Sequence, residues 1–476
     1  MAVIAESAKV ASGMIRDKCA VFGTFAPPED VARLIFFALF ALQHRGQESS
    51  GIVVSNGREL RRHAGSGLVS QVFDEEALSR LPGFSGIGHN RYSTTGSSGI
   101  VNAQPIVVSG PQGEIALAHN GNIVNAAELR HDLEEKGFRF HATTDSEVIA
   151  NLILASPGRD WVERVSTATR RLIGAYSLTL LTRDTLMAVR DPHGVRPLCL
   201  GSIGSSPVVA SESCALDHVG AQFERDLDPG ELVSFSTDGT RRTTIRDGQR
   251  QAFCVFEYVY LARPDSIVED RLVYAARQRM GARLWHEYPV DADLVLGVPD
   301  SAIPAAIGFA EASGIPYCEG LLKNRYIGRT FISPDQHLRD LGVQLKFNPL
   351  ASTIAGKRLV VLDDSIVRGT TTPHVVGLLR AAGAREVHLR ICAPPVMHPC
   401  FLGVDMATEA ELIATHKSVA AIREHVQADS LGYMSMEGLL EAVERPANTV
   451  CDACFTGNYP VPVQMALGKF ALEATQ

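Results

Sequence analysis

The chain has 476 residues, 53 acidic and 45 basic side chains, and a formal charge of −8. That balance argues against a dedicated nucleic-acid binder, which carries a strong basic excess. The longest apolar run, 34–42, falls far short of the roughly 20 residues a membrane-spanning helix needs. At roughly 150 residues per domain the length suits about three domains or two larger ones.

Residues 1–18 carry Glu6 and Asp17 and no continuous apolar core, so they do not read as a secretory signal. They read as a leader. CAVFG at 19–23 is expected to begin a strand. Removal of the leader would give Cys19 a free α-amine with a pKa of about 7.7–8, a suitable base for its own thiol near about 8.5. A helix is expected from Pro28 to about Gln43, where Val31, Leu34, Ile35, Ala38, Leu39 and Leu42 recur at helical spacing. LQHRGQ at 42–47 closes it.

Short β-rich runs follow at 51–55, 86–89, 115–119, 176–182, 185–189 and 198–200. GHNRYSTTG at 88–96 ends one run with Arg91, a cation suited to a carboxylate. AHNGN at 118–122 supplies the amide of Asn120 and the N–H of Gly121, the donor types an oxyanion hole needs. TTDSE at 143–147 opens a second helix, with Asp145 as the capping residue and as an acid for a substrate ammonium. Many strands and few helices predict an α+β sandwich. The polar stretch 237–251 breaks the hydrophobic pattern and is taken as the boundary of a first domain, 19–252.

From 253 to 476 the rhythm changes. Strands at 293–298, 358–363 and 385–393 alternate with helices at 303–313 and 373–382, the pattern of a parallel α/β sheet. RLVVLDDSIVRGTTT at 358–372 is the strongest local signal. A buried strand ends in Asp363 and Asp364. A loop with Ser365, Arg368, Gly369, Thr370 and Thr371 then leads into a helix taken to begin at Pro373. Ligands bind beyond the carboxyl ends of such strands. The loop amides and helix N-terminus suit a phosphate, and the paired carboxylates suit a ribose diol or Mg²⁺. The segment is neither a Walker loop nor a G-x-G-x-x-G fingerprint, which disfavours ATP and NAD. GVPDSA at 297–302, with Ser301, ends a strand in a tight turn. KNRYIGRTFI at 323–332 offers Lys323, Arg325 and Arg329 beside a glycine, with Lys346 downstream. Such a loop is suited to close over a pyrophosphate leaving group.

Nine cysteines is an odd number. CDAC at 451–454 has metal-ligand spacing, and Cys254 and Cys400 sit in distinctive contexts, FCVFEY and MHPCF. Four thiolates suit zinc or an iron–sulfur cluster, and spacing does not choose between them. Cys199, Cys214, Cys318 and Cys392 are most simply core residues.

The motifs from Cys19 to Asp145, in this order, resemble those of the N-terminal-nucleophile class II glutamine amidotransferases. The segment 358–372 resembles the signature of type I phosphoribosyltransferases. Together they resemble the glutamine phosphoribosylpyrophosphate amidotransferase family, from Cys19 to about Val463. The resemblance implies an N-terminal-nucleophile sandwich followed by a type I phosphoribosyltransferase domain. It implies an enzyme making 5-phosphoribosylamine, glutamate and pyrophosphate from glutamine, phosphoribosyl pyrophosphate and water, the first committed step of purine synthesis.

Cys19, Asn120 and Gly121 would be catalytic, and Arg45, Arg91, Thr94 and Asp145 would surround glutamine. Asp363, Asp364, Ser365, Arg368, Gly369, Thr370, Thr371, Lys323, Arg325, Arg329 and Lys346 would bind phosphoribosyl pyrophosphate, with Mg²⁺ at Ser301, Asp363 and Asp364. The resemblance is to the branch with a cleaved leader and a [4Fe–4S] cluster, on Cys254, Cys400, Cys451 and Cys454. It further implies a cytoplasmic homotetramer inhibited by purine nucleotides, with no nucleic-acid or membrane partner. Two positions depart from the family. Ala20 replaces a glycine, a methyl that would crowd glutamine, alter the strand's first turn or leave the chemistry untouched, and Gln344 stands where many relatives have arginine. The competing reading is a catalytically silent nucleotide- or redox-sensing homologue.

Overall fold

The computed structural model describes residues 19–26, 30–92, 99–246, 249–324, 347–406 and 408–463. Residues 1–18, read above as a leader, and Thr94, Arg325, Arg329, Gln344 and Lys346 lie outside the described residues.

The first half holds two antiparallel sheets. One has seven strands in the order Gln222–Asp226, Cys199–Ile203, Ser206–Ala210, Ala20–Phe25, Ser85–Arg91, Ser49–Ser55 and Leu60–Ser66. The other has six, in the order Gly239–Thr244, Glu231–Ser236, Leu186–Arg190, Gly174–Leu181, Gly113–Ile123 and Ile106–Gly110. Alternation along each strand sends every second side chain between the sheets. There Val21, Val53 and Ile87 of one sheet meet Ala116, Ala118, Leu186 and Ala188 of the other.

The opposite faces carry helices. Val31–Ala41 turns Val31, Ile35, Ala38 and Leu39 onto the seven-stranded sheet, and the Asp30 side chain caps it at the Arg33 amide, 3.0 Å away. Ala126–Glu135, Asp145–Ala155 and Trp161–Thr169 cover the six-stranded sheet. The result is the four-layer form of the expected α+β sandwich. The polar stretch at 237–251 is only partly a connection. Its first half is the edge strand Gly239–Thr244, exposed along nearly its whole length, so hydrophobic alternation never marked it.

The second half is built on a four-stranded sheet, Leu294–Gly297, Arg358–Asp363, Glu386–Ile391 and Ser430–Tyr433, with every pairing parallel. Val360 and Leu362 pack with helices Val273–Glu287 and Ile303–Ser313 on one face. Leu359 and Val361 pack with helices Thr371–Ala381 and Val419–His425 on the other. A strand buried on both faces reads as a continuous apolar run, as this one does. Each fully buried valine stabilises the fold by roughly 1.5–3 kcal/mol relative to exposure. Phe253–Cys254 pairs in parallel with Val450–Cys451, so the C-terminal segment returns to the start of this half.

Candidate functional site

Cys19 stands at the head of the Ala20–Phe25 strand, in the middle of the seven-stranded sheet, and is almost fully buried. Its Sγ donates to the Tyr92 carbonyl at 3.3 Å. Burial pushes the thiol up to about 11; the Tyr92 contact and Arg91 pull it down, while Asp145 and Glu48 push it further up. Ala20 faces the other way. Its methyl lies in the apolar layer with Phe22, Ile35 and Leu39, under the helix. Strand alternation puts residues 19 and 20 on opposite faces, so the Ala20 methyl does not stand beside the thiol.

Asn120 and Gly121 lie in strand Gly113–Ile123 of the second sheet, which is tied to the first where the Nε2 of His89 meets the His119 carbonyl at 3.0 Å. Burial lowers the His89 pKa to about 3, so this contact comes from a neutral imidazole. The buried Nδ2 of Asn120 has no hydrogen-bond partner among the described residues. An orphaned donor at such depth is costly unless a ligand takes it. At Gly121 a β-carbon would stand 2.0 Å from the Ala175 carbonyl oxygen, so only glycine fits.

Asp145 occupies the first turn of helix Asp145–Ala155, but Thr144, not Asp145, holds the capping position. The Asp145 carboxylate turns inward instead. It accepts from the Ile123 amide at 3.2 Å and lies 3.5 Å from the His119 Nδ1. Arg91, which ends strand Ser85–Arg91, is 2 % exposed.

The second site lies at the carboxyl ends of the parallel strands. It is a cavity of about 290 Å³ lined by Asp300, Ser301, Lys323, Asp363, Asp364 and Ser365, together with Gly369, Thr371 and Thr372. Asp364 accepts from Ser301 Oγ and from Ser365 Oγ, both at 2.6 Å. Burial raises its pKa against the pull of those hydroxyls and of Arg277. Lys323 pairs with Asp300. The helix begins at Thr371, with Thr370 at its cap, so it starts two residues before Pro373, where the sequence pattern had placed it. Thr370 and Thr371 thus sit on the first helical turn, where free amides and the helix dipole favour an anion. Arg368 lies 3.5 Å from Glu411.

Cys254, Cys400, Cys451 and Cys454 line one small apolar cavity with Arg196, Phe256, Leu402 and Tyr459. Cys254 and Cys451 are direct partners in the two-residue parallel pair. Burial raises the Cys451 and Cys454 pKa values, and the neighbouring thiols raise them further. Among the described residues no three histidine, cysteine or acidic side chains stand close enough to share a single metal ion.

Residues 89–218 match the glutamine amidotransferase domain family. Over 96 % of its length the chain is 50 % identical to amidophosphoribosyltransferase of Synechococcus elongatus, covering 94 % of that protein. It is 47 % identical to amidophosphoribosyltransferase of Methanothermobacter thermautotrophicus, covering 96 % of this chain and 97 % of that one. The chain belongs to the amidophosphoribosyltransferase family. Its fold is also that of glutamine phosphoribosylpyrophosphate amidotransferase from B. subtilis complexed with ADP and GMP. The two share 44 % identity and a TM-score of 0.89, covering 94 % of this chain and 98 % of that one.

Several residues beside these cavities escaped the sequence reading. His44, from the first half, lines the second cavity beside Tyr260, Arg263 and Arg277. All three guanidinium nitrogens of Arg45 are engaged within the protein. Nε donates to the Cys19 carbonyl at 3.2 Å, and the others reach Glu212 and Glu257. Arg45 thus holds the Cys19 backbone, where a place around glutamine was expected. The sequence signal for these carboxylates was weak, because isolated glutamates in SESC and FCVFEY carry no spacing rule. Buried glutamates without partners are rare, and that is the only hint.

Proposed function

We propose that this amidophosphoribosyltransferase frees ammonia from glutamine at Cys19 and consumes it at the 363–372 loop. The overall reaction converts glutamine, phosphoribosyl pyrophosphate and water to 5-phosphoribosylamine, glutamate and pyrophosphate. The observation that carries the reading is the placement of adjacent residues His44 and Arg45. Arg45 holds the Cys19 carbonyl, and His44 lines the acid- and hydroxyl-rich cavity. The two sites are therefore back to back across one loop.

In this reading the leader 1–18 is removed and the new α-amine of Cys19 takes the thiol proton. That step answers the raised thiol pKa, since the thiol alone yields little thiolate at neutral pH. The thiolate attacks the side-chain amide of glutamine. Asn120 Nδ2 and the Gly121 N–H receive the tetrahedral oxyanion. Arg91 and Thr94 hold the α-carboxylate and Asp145 the α-ammonium. The amine returns its proton to the departing ammonia, and water resolves the glutamyl thioester. Ammonia then attacks the ribosyl carbon as pyrophosphate leaves.

Asp363 and Asp364 hold the ribose diol, and the Ser365–Thr371 loop holds the 5-phosphate. Lys323, Arg325, Arg329 and Lys346 hold the pyrophosphate. The oxygen donors of Ser301, Asp363 and Asp364 suit Mg²⁺, which when bound neutralises charge on the leaving group. We place the boundary between the two domains at 252/253.

Four thiols facing one apolar cavity fit an iron–sulfur cluster better than one ion, because the irons and sulfides of a cluster hold its ligands farther apart. Cys254, Cys400, Cys451 and Cys454 would hold a [4Fe–4S] cluster in a structural role. The further expectations are regulation by purine nucleotides, a homotetramer and a cytoplasmic setting. No described helix is long and apolar enough to cross a membrane.

Replacement of Cys19 tests the assignment. Cys19→Ala is expected to lose glutamine-dependent synthesis entirely and to keep synthesis from added ammonium. Loss of both activities, or retention of both, would overturn it.

A further inference from the structure

Four charged side chains are buried together where the two halves meet. Arg45 and Glu212 come from the first half, as does Arg196, and Glu257 comes from the second. Their side chains are between 0 % and 1 % exposed. The quartet is neutral in sum, with two cations and two anions. Burying it is tolerable only because each charge has partners, and removing one leaves an uncompensated charge at depth.

Glu257 is the junction of the quartet. Its Oε1 accepts from Arg45 Nη2 at 3.0 Å, and its Oε2 accepts from both terminal nitrogens at 3.3 Å. The same Oε1 lies 3.7 Å from Arg196 Nη1. One arginine reaches Cys19 directly, and the other reaches a loop packed on the Asn120–Gly121 strand. Arg45 holds the Cys19 carbonyl, which fixes the residue carrying the nucleophile. Arg196 donates to the Leu402 carbonyl.

The Leu402 loop is pressed against the oxyanion strand. Phe401 accepts from Asn122 Nδ2 at 2.8 Å, and a β-carbon at Gly403 would stand 2.8 Å from the Gly121 carbonyl carbon. Glu257 also belongs to the turn Glu257–Leu261, whose Tyr260 and Leu261 line the phosphoribosyl cavity. Arg277 clamps that turn through the Tyr258 and Ala262 carbonyls, each at 2.8 Å.

We propose that Glu257 is a positioning residue for glutamine cleavage. From the phosphoribosyl half it sets the spacing between Cys19 and the oxyanion donors Asn120 and Gly121, through Arg45 and Arg196, which both meet its carboxylate at Oε1. It touches neither substrate. The inference rests on the reading of Cys19 as the nucleophile. Small misplacements of reacting groups are expensive, with about 1 Å costing on the order of 100-fold in rate. Synthesis from added ammonium bypasses the glutamine site and serves as the internal reference.

The test uses the full, processed enzyme and the variants Glu257→Gln and Glu257→Asp. Glu257→Gln keeps the shape and loses the charge; Glu257→Asp keeps the charge and withdraws it by one methylene. Both are expected to lower kcat for glutamine by about 10–100-fold. Synthesis from ammonium and the KM for phosphoribosyl pyrophosphate should stay within about two-fold. Glu257→Asp decides the matter if Glu257→Gln does not fold. A glutamine kcat unchanged in Glu257→Asp, or a parallel fall of both activities in that variant with an unchanged melting temperature, would overturn the proposal. Cys19→Ala in the same assay reads the underlying assignment separately. If that variant still uses glutamine, the nucleophile is misassigned, whatever the Glu257 variants do.

Discussion

Asn120 shows how little of a site need be pre-formed. Its buried Nδ2 lacks a partner among the described residues, so the fold carries a desolvation cost that a ligand would relieve, and in the proposed reading that ligand is the developing oxyanion. Replacing Asn120 by alanine should therefore lower kcat for glutamine by about 10²–10³-fold. Steady-state glutaminase assays beside ammonium-dependent synthesis check this, and a fall below ten-fold would show that the donor lies elsewhere. The residue types here were legible as candidates: Cys19 is buried at a strand head within the electrostatic reach of Asp145, and Asn120 and Gly121 lie in the strand whose end Asp145 contacts. The directions of side chains were not. Ala20 looked like an obstacle because adjacency in sequence suggested adjacency in space, yet the strand turns its methyl into the helix-covered layer. Asp145 looked like a cap and instead reaches the Ile123 amide.

Elements that bury both faces announced themselves, and elements at edges did not. Strand Arg358–Asp363 reads as a continuous apolar run because helices cover it on both sides. The exposed hairpin strand Gly239–Thr244 has no such run and passed for a connection. The two-residue strands Phe253–Cys254 and Val450–Cys451 were too short for any periodicity. Their cysteines carried the signal instead, and the pairing brings Cys254 beside Cys451. If these thiols hold a cluster, it staples the C-terminal segment to the start of the second half. Cys451→Ser should then abolish the visible absorbance of anaerobically purified protein and lower its melting temperature by several degrees. A variant that loses its iron but keeps the parent melting temperature would contradict the structural role.

At the scale of the whole molecule, polar groups of both halves meet in a seam that no motif in either half could reveal. Asp226 of the first half accepts from the Glu269 amide of the second at 2.7 Å. Burial raises its pKa from the ordinary 3.8 to about 6, against Arg190, which lowers it, and with Glu269, which raises it. A carboxyl with a raised folded pKa is harder to ionise in the fold than in the unfolded chain. Its cost is absent below the unfolded value, grows as pH rises from 3.8 to about 6, and is complete above that. Asp226→Asn should therefore stabilise the protein by about 1–3 kcal/mol at pH 7.5 and by much less at pH 4. Urea melts at the two pH values test this, and equal effects at both would contradict it. In the same seam the 3-10 turn Gln43–Arg45 touches both Cys19 and the second cavity, so under the proposed function glutamine cleavage should answer to occupancy of that cavity. The most direct test is glutamate release from glutamine by anaerobically purified, processed enzyme, with and without phosphoribosyl pyrophosphate and Mg²⁺. Release that rises at least ten-fold with the second substrate is the predicted result. Full-rate release without it, or no release under either condition, would contradict the account.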